Sequence, residues 1–417
     1  MTSPGTSLLR AGEPIAVGPV VGAGAGGLFS DGDFLAIPAC RGVVVLEAAD
    51  GRAVLAGVTG DARRFCRARL DESPPDAGPG GRPKADLRPV TARVLVYPAA
   101  SMLAGEAMFL EIARERLPRV ARLASERRRG WFVRWNADDP TPTWRKTNLS
   151  DVGSGSTNGS TDGSDLLGPF GTKDAGGRFA EGLDELFELC RYPRELEKAP
   201  RGKACAYKEM GKCPAACDGS ERMASYRERV RAGVDLTREG VPAAIERTTV
   251  ELRSASAAMD FERAAVLKAR LDRLGAMGKA PMRHARTLDR FAALAAGPGE
   301  RGADVLLCVR GWVYALGELC EASEAAAMAG GVREACADAP KFDGEAARVE
   351  AVGLFAHWLY GAAKSRDRAV LVPDDDRGGD GIERTLAALA GEVCKRAQAS
   401  GDEDDGPDAG GLEVRDG

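Results

Sequence analysis

Short apolar blocks separated by polar turns dominate the first third of the chain and predict a small mixed domain over residues 39–150. Two apolar runs, 43–46 and 53–57, flank an Asp50-Gly51 pair and predict a β-hairpin. The pattern then predicts a helix over 60–70, a strand over 90–98, a helix over 101–117 and a strand over 129–135. The Gly- and Pro-rich residues 1–38 predict a flexible N-terminus.

The rest of the chain divides at changes of composition. A Gly/Ser-rich linker is predicted over 151–165, a cysteine-containing module over 166–220, and helices over 221–275. Residues 280–398 predict a small α+β region, with a hairpin over 304–316 and amphipathic helices near 344–364 and 381–398. The acidic tail, 399–417, is predicted to be disordered. Together these patterns predict an α+β protein of several modules.

Composition narrows the class of protein. The chain has 417 residues, 44% hydrophobic residues and a net charge of −4, and it contains no apolar run of 18 residues. The N-terminus lacks a basic stretch followed by a compact apolar stretch. We therefore expect a cytoplasmic protein with reduced cysteines and no membrane partner. Because the net charge is slightly negative, any contact with DNA must come from local basic patches.

Four cysteines lie close together in the sequence, at positions 190, 205, 213 and 217. Lysines 203, 208 and 212 lie among them, and positive charge stabilises thiolates. Clustered thiols in a chain without signs of export favour a metal or iron–sulfur site over disulfides. Four thiolates suit both a [4Fe–4S] cluster and structural zinc, so both remain open.

The segment around these cysteines resembles the UvrC family, the incision subunit of bacterial nucleotide excision repair. The resemblance rests on Leu166-Leu167-Gly168-Pro169-Phe170 and on the x7 and x3 spacings between Cys205, Cys213 and Cys217. It implies that Cys190, Cys205, Cys213 and Cys217 bind a [4Fe–4S] cluster, with zinc as the alternative. The family continues into an RNase H-like nuclease and helix-hairpin-helix motifs, and we find no counterpart of that nuclease's carboxylates after residue 275.

A second resemblance covers residues 241–275. The string Asp260-Phe261-Glu262-Arg263-Ala264-Ala265 opens a predicted helix, which Asp260 can cap, and resembles the UVR motif, a helical hairpin shared by UvrB and UvrC. It implies a UvrB-like partner, contacted through Phe261, Glu262, Ala264, Ala265 and Leu271. The alternative is an ordinary helical hairpin that belongs to the protein core.

The N-terminal region resembles the GIY-YIG nuclease domain, with its chemistry largely lost. Val44 and Leu55 stand where the family has tyrosines, and Phe65 stands where it has an arginine. Glu111 would be the remaining metal-binding glutamate, and Arg64 lies beside the lost arginine. Since Val and Leu cannot orient water or accept a proton, we expect a retained fold without catalysis. Mg²⁺ or Mn²⁺ would bind only if this site were active.

Two basic patches are candidates for DNA contact. One contains Arg63, Arg64 and Arg67, and the other contains Arg127, Arg128 and Arg129. Each could equally be a solvated surface. Taken together, the sequence predicts a non-catalytic, UvrC-like repair adaptor that binds DNA and a UvrB-like protein. Two alternatives are an active GIY-YIG-type endonuclease that uses Glu111 and Arg64, and a redox-responsive cluster protein outside repair.

Overall fold

The computed structural model describes residues 7–8, 13–17, 29–70, 86–128, 130–135, 139, 141–148, 165–279, 282–361, 368–372 and 380–399. Its strands are β1 (Ser7–Leu8), β2 (Ile15–Val17), β3 (Gly42–Glu47), β4 (Ala53–Thr59), β5 (Arg93–Pro98), β6 (Trp131–Arg134), β7 (Arg145–Asn148), β8 (Leu166–Phe170), β9 (Arg286–Thr287), β10 (Ala292–Pro298), β11 (Ala303–Val309), β12 (Trp312–Leu319) and β13 (Arg368–Leu371). The described strands form three antiparallel sheets.

The helices are α1 (Asp31–Ala36), α2 (Ala62–Leu70), α3 (Met102–Arg116), α4 (Pro118–Arg127), α5 (Lys173–Leu186), α6 (Pro193–Leu196), α7 (Ala206–Glu209), α8 (Met223–Glu239), α9 (Val241–Ala257), α10 (Phe261–Met277), α11 (Ala325–Asp338), α12 (Ala346–Leu359) and α13 (Gly381–Ala399). This mixture of helices and small antiparallel sheets confirms the predicted α+β class. No helix in the described part of the chain is both long and apolar enough to cross a membrane.

The N-terminal sheet has the strand order β2-β5-β3-β4. Its central hairpin, β3–β4, confirms the predicted turn, where Gly51 adopts a φ of +80° that glycine tolerates without strain. Successive residues of β3 point to opposite faces, and both faces are buried. Val43 and Val45 pack with residues of α3 and α4, whereas Val44 and Leu46 pack with residues of α1 and α2. The sheet therefore has a layer of helices on each side.

Part of the N-terminal segment is ordered by this sheet. Strand β2 pairs with β5, and helix α1 begins with a capping box between Ser30 and Asp33. The prediction that residues 1–38 are flexible is therefore wrong for β2 and α1, because their apolar residues cover one face of the sheet. Residues 71–85 lie outside the described part of the chain.

The second sheet has the order β7-β6-β8-β9 and joins regions that the sequence predicts to be separate. Strand β6 pairs with β8, with Trp131 opposite Phe170, and β8 pairs with β9. The boundary predicted between 39–150 and 166–220 is therefore corrected, because a hydrogen-bonded sheet crosses it. Nearly all of the linker 151–165 lies outside the described residues.

The C-terminal sheet has the order β1-β12-β11-β10-β13 and confirms the predicted hairpin and both predicted helices, which are α12 and α13. Helix α11 was not predicted, since Gly330 and Gly331 interrupt an otherwise alanine-rich segment. The sheet packs against the N-terminal unit, where Ser101 Oγ donates to Asp304 Oδ2 at 2.5 Å and Arg41 bonds the Pro298 carbonyl at 2.8 Å. The acidic tail beyond α13 lies outside the described residues.

Candidate metal centre and partner surface

The four cysteines lie in a segment with little regular structure, between α5 and α8. Only the four-residue helices α6 and α7 and a short 3-10 turn occur between Cys190 and Asp218. The segment folds back on itself, since the Gly202 N–H bonds the Cys217 carbonyl at 2.8 Å. A Cβ on Gly202 would lie 2.5 Å from the Glu195 carbonyl oxygen, so only glycine fits this close approach.

The thiols meet in this fold. Cys190, Cys213 and Cys217 are buried, and Cys205 is half-buried. The Cys190 thiol donates to the Tyr192 carbonyl at 3.6 Å, and its interaction with the Cys213 thiol raises the pKa of Cys190 and lowers that of Cys213. Burial raises the pKa of Cys217, and the nearby charges of Asp218, Cys213 and Cys205 raise it further. Cys190 and Cys213 thus interact directly, and Cys213 and Cys205 are near enough to Cys217 to influence its pKa.

The four cysteines suit a bound metal group by the chemistry of their sulfur donors, whereas the described part of the chain does not show a complete coordination geometry. Soft thiolate donors suit iron–sulfur clusters and zinc, and the Ala215 backbone N–H hydrogen-bonds the Cys213 sulfur. Ala215 holds the turn between Cys213 and Cys217 in a left-handed conformation, with a φ of +64°. However, no three His, Cys, Asp or Glu side chains of the described residues form a group that could hold a metal ion.

Charged residues around the thiols differ from those that the sequence suggested. The Lys208 amino group pairs with Asp218 at 2.6 Å and with Ser220 at 2.6 Å. Instead, the positive charge of Arg229 on α8 lowers the pKa of Cys213. Burial raises the pKa of Asp184 on α5 to about 7. Sequence reasoning missed Arg229 and Asp184, because they come from helices outside the cysteine cluster.

The helical hairpin formed by α9 and α10 is fixed at one end and projects at the other. At its base, Val241, Leu274 and Met277 are buried against α5 and β8. At its tip, large apolar side chains face solvent, with exposed fractions of 72% for Phe261, 74% for Met259, 69% for Val266 and 60% for Val250. Such an apolar surface on a projecting element is a candidate contact site for another protein.

The predicted partner residues fall on this hairpin, at different depths. Phe261, Glu262 and Ala265 are exposed, whereas Ala264 and Leu271 are half-buried. The Asp260 side chain caps α10 by accepting from the Arg263 N–H at 3.1 Å, which confirms the predicted cap. Leu267 and Leu274 are buried and join the two helices to each other and to the core.

The residues predicted for a nuclease site do not come together. Val44 and Leu55 are buried, with exposed fractions of 0% and 4%, in the core between the sheet, α1 and α2. Arg64 is exposed on α2, whereas Glu111 lies on α3, and these helices cover opposite faces of the sheet. The structure therefore does not bring Arg64 and Glu111 together, because the sheet separates the helices that carry them.

The first predicted DNA-binding patch is largely used for internal contacts. Arg63 donates to the carbonyls of Ile37 at 2.8 Å and Leu35 at 3.2 Å. Arg67 bonds Asp31 at 3.0 Å and lies over the Phe34 ring. Both side chains thus hold α1 against α2. Arg64 is the exposed member of this patch.

The second predicted patch likewise contains one arginine that makes internal contacts and one that is exposed. Arg128 bonds Glu106 at 2.9 Å, and Trp358 bonds the other oxygen of Glu106 at 3.2 Å. Arg127 is exposed, and Arg129 lies outside the described residues. The structure therefore assigns Arg128 a packing role between α3, α4 and α12.

Comparison with known proteins finds a similarity in the part of the chain that contains the four clustered cysteines. Residues 142–236 match the family described as the middle domain of the UvrC/Cho excinuclease. The UvrABC system protein C of Thermus thermophilus, in each of two strains, is 32% identical over 119 residues, which is 28% of this chain and 19% and 18% of those proteins. The match thus spans less than a fifth of these curated relatives, and no solved structure matches the chain. Residues 142–236, which contain all four clustered cysteines, are therefore similar to the UvrC/Cho middle domain.

Proposed function

We propose that this protein acts in nucleotide excision repair as a UvrC-like adaptor without nuclease activity of its own. In this role it binds DNA, and it binds a UvrB-like protein through the hairpin formed by α9 and α10. The relatives' name, UvrABC system protein C, places them in that repair system. The similarity of residues 142–236 to the UvrC/Cho middle domain supports the same pathway for this chain.

The observation that carries the proposal is the exposed apolar tip of the hairpin. Phe261 and Val266 are each more than two-thirds exposed, although Leu274 at the base is fully buried. An isolated exposed apolar residue needs no explanation, but several on one projecting tip indicate a contact surface. Glu262, Arg263 and Lys268 are also exposed and supply a charged rim, as is common at protein interfaces.

We further propose that Cys190, Cys205, Cys213 and Cys217 hold a [4Fe–4S] cluster, with zinc as the alternative. Such a cluster, when bound, would cross-link the segment between α5 and α8 and could also supply one-electron redox chemistry. The chain's own contribution would be to bury the thiols and to stabilise the negative charge of Cys213, through the Ala215 backbone N–H and the positive charge of Arg229.

The adaptor role is favoured over an endonuclease by the state of the N-terminal sheet. Phosphodiester hydrolysis needs an oriented water, a metal ion and a cation placed together. Here the candidate positions Val44 and Leu55 are apolar and buried, and Arg64 and Glu111 lie on opposite layers of helices.

The hairpin is tested by Phe261→Ala in the full-length protein, with binding to a UvrB-like C-terminal hairpin measured by calorimetry. An aromatic anchor at an interface is worth about 2 kcal/mol or more, so we expect at least about tenfold weaker binding. Because Phe261 is 72% exposed, circular dichroism should show an unchanged fold. Leu35→Ala is the matched control, since Leu35 on α1 is 63% exposed and lies outside the hairpin.

Two results would contradict the proposed partner surface. One is equal affinity of the wild type and Phe261→Ala. The other is a wild-type protein that neither binds the UvrB-like hairpin nor self-associates at tens of micromolar. In the second case α9 and α10 would be an internal structural element, and the adaptor proposal would lose its main support.

A further inference from the structure

An aromatic pair lies at the surface of the cysteine segment. The rings of Tyr192 and Tyr207 have centroids 6.1 Å apart and an interplanar angle of 47°. Tyr192 is 49% exposed, which is high for a tyrosine that is not a partner contact. The Arg191 guanidinium lies 4.2 Å from the centroid of the Tyr207 ring and supports it. Tyr192 thus presents an exposed ring beside the half-buried ring of Tyr207, which Arg191 supports.

Exposed cations lie along the same segment. They are Arg194, Arg201, Lys203 and Lys212. The Lys212 N–H bonds the Tyr207 carbonyl at 2.8 Å, and the Lys203 N–H bonds Glu195, whose own N–H bonds the Tyr192 carbonyl at 3.0 Å. The nearby Glu195 carboxylate is already occupied, by the Lys198 amino group and by the Lys203 N–H at 3.1 Å.

We propose that this face, defined by Tyr192, Tyr207, Arg194, Arg201, Lys203 and Lys212 and here named the tyrosine face, binds unpaired nucleic acid. The tyrosine rings stack on one or two bases, and the four cations neutralise the adjacent phosphates. This inference deepens the proposed repair function and rests on it, because it assigns the DNA contact of the adaptor to the cysteine segment. It replaces the two arginine patches predicted from sequence, in which Arg63, Arg67 and Arg128 make internal contacts.

The combination of ring and charge favours nucleic acid over an acidic protein. Acidic peptides are recognised by cations and do not require an exposed aromatic face. Base stacking tolerates any sequence because every base has an aromatic face, so a strand opened at a damaged site would fit whatever its sequence. Duplex DNA keeps its bases stacked on each other and could use only the cations of the tyrosine face.

The test compares variants of the full-length protein for binding to a fluorescently labelled 20-nucleotide oligothymidine, by anisotropy at two salt concentrations. We expect Tyr192→Ala/Tyr207→Ala to weaken binding at least about tenfold, and Tyr192→Phe/Tyr207→Phe to bind like the wild type, since phenylalanine still stacks. We expect Arg201→Glu/Lys203→Glu to weaken binding and reduce its salt dependence. Arg384→Glu/Lys395→Glu, which changes two cations of α13 far from the tyrosine face in sequence, is the charge-matched control and should have no such effect.

Each variant is also measured for iron or zinc content and for UvrB binding. Unchanged metal content and UvrB affinity would show that any loss of oligonucleotide binding arises at the tyrosine face. Equal oligonucleotide affinity of the wild type and the double alanine variant would overturn the inference. A second result would also overturn it: a wild type that binds UvrB and an acidic peptide but does not bind the oligonucleotide. Both results would leave the proposed contact of the adaptor with UvrB standing. A wild type that binds neither DNA nor UvrB would overturn both.

Discussion

The N-terminal sheet and the cysteine segment are opposites in what holds each of them together. In the sheet, strands β3 and β4 are buried on both faces, and Val44 and Leu55 occupy the positions where the resembled nuclease has tyrosines. In the cysteine segment, regular structure is limited to single helical turns, and three of the four thiols are buried. The sheet is held by apolar packing on both faces. The cysteine segment also packs apolar residues, such as Leu196 and Ala216, against Tyr226 and Val230 of α8, and we propose that its thiols add a second source of stability.

One polar group in the N-terminal sheet makes the contrast sharper. Glu47, at the end of β3, is only 1% exposed and pairs with Arg93 at 2.6 Å and with Arg116. It is a buried charge that two cations satisfy, so its role is structural. This polar group of the sheet thus serves stability, whereas for the cysteine segment we propose that the thiols serve as ligands.

The largest effect is expected where the cysteine segment loses a thiol. Cys213→Ser should remove the bound metal group, since Cys213 contacts Cys190 and lies close to Cys217. The wild type, purified without oxygen, should be brown and carry about four irons per chain, and the variant should be colourless. Iron and zinc analysis with hydrogen exchange over 190–220 checks this, and Cys320→Ser, at an exposed cysteine, is the control.

The outcomes for the metal are distinct. Stoichiometric zinc without iron would reject the cluster and keep the module. A wild type without any metal would reject both. Unchanged exchange in Cys213→Ser would mean that packing alone holds the segment, and the contrast with the sheet would disappear.

A smaller effect is expected when the buried charge in the sheet is removed. Burial alone would raise the pKa of Glu47, but hydrogen bonds from Arg116 and Arg93 outweigh it and lower that pKa below its ordinary value of 4.5. The ion pairs should therefore stabilise the fold fully above pH 4.5, and this stabilisation should be lost as the pH falls through the lowered value. Since Arg93 is half-exposed, Glu47→Gln should lower the free energy of unfolding by only about 1–2 kcal/mol at pH 7.

Urea unfolding of both proteins between pH 3 and 7 measures this difference. The gap between wild type and Glu47→Gln should be constant near neutral pH and shrink at acid pH. A gap that stays constant down to pH 3 would show that the Glu47 charge does not stabilise the sheet.

The smallest effect is expected at Glu111, the residue that would remain of a nuclease site. The wild type and Glu111→Gln should both fail to cut DNA with Mg²⁺ or Mn²⁺ above background, because Arg64 and Glu111 lie on opposite sides of the sheet. Gel analysis of supercoiled and damaged DNA checks this, with an active nuclease as positive control. Cleavage that disappears in Glu111→Gln would restore the endonuclease hypothesis.

Local patterns predicted the elements well, because strand and helix periodicity depend on neighbours in sequence. The turn at Gly51, the cap at Asp260 and the helices of the hairpin could be predicted in this way. The pairing of β6 with β8 could not, because hydrogen bonding between strands depends on partners that are distant in sequence. Helix α11 was missed since its glycines weaken the local signal.

The same division holds for the sites. The sequence by itself determined the four thiols, the apolar residues of the hairpin and the loss of the nuclease side chains at Val44 and Leu55. Only the tertiary structure decided which hairpin residues are exposed, that Arg63 and Arg128 make internal contacts, and that Tyr192 and Tyr207 lie side by side at the surface. The reason is physical: residue types define which chemistry is possible, whereas burial and proximity are set by contacts between segments far apart in the chain.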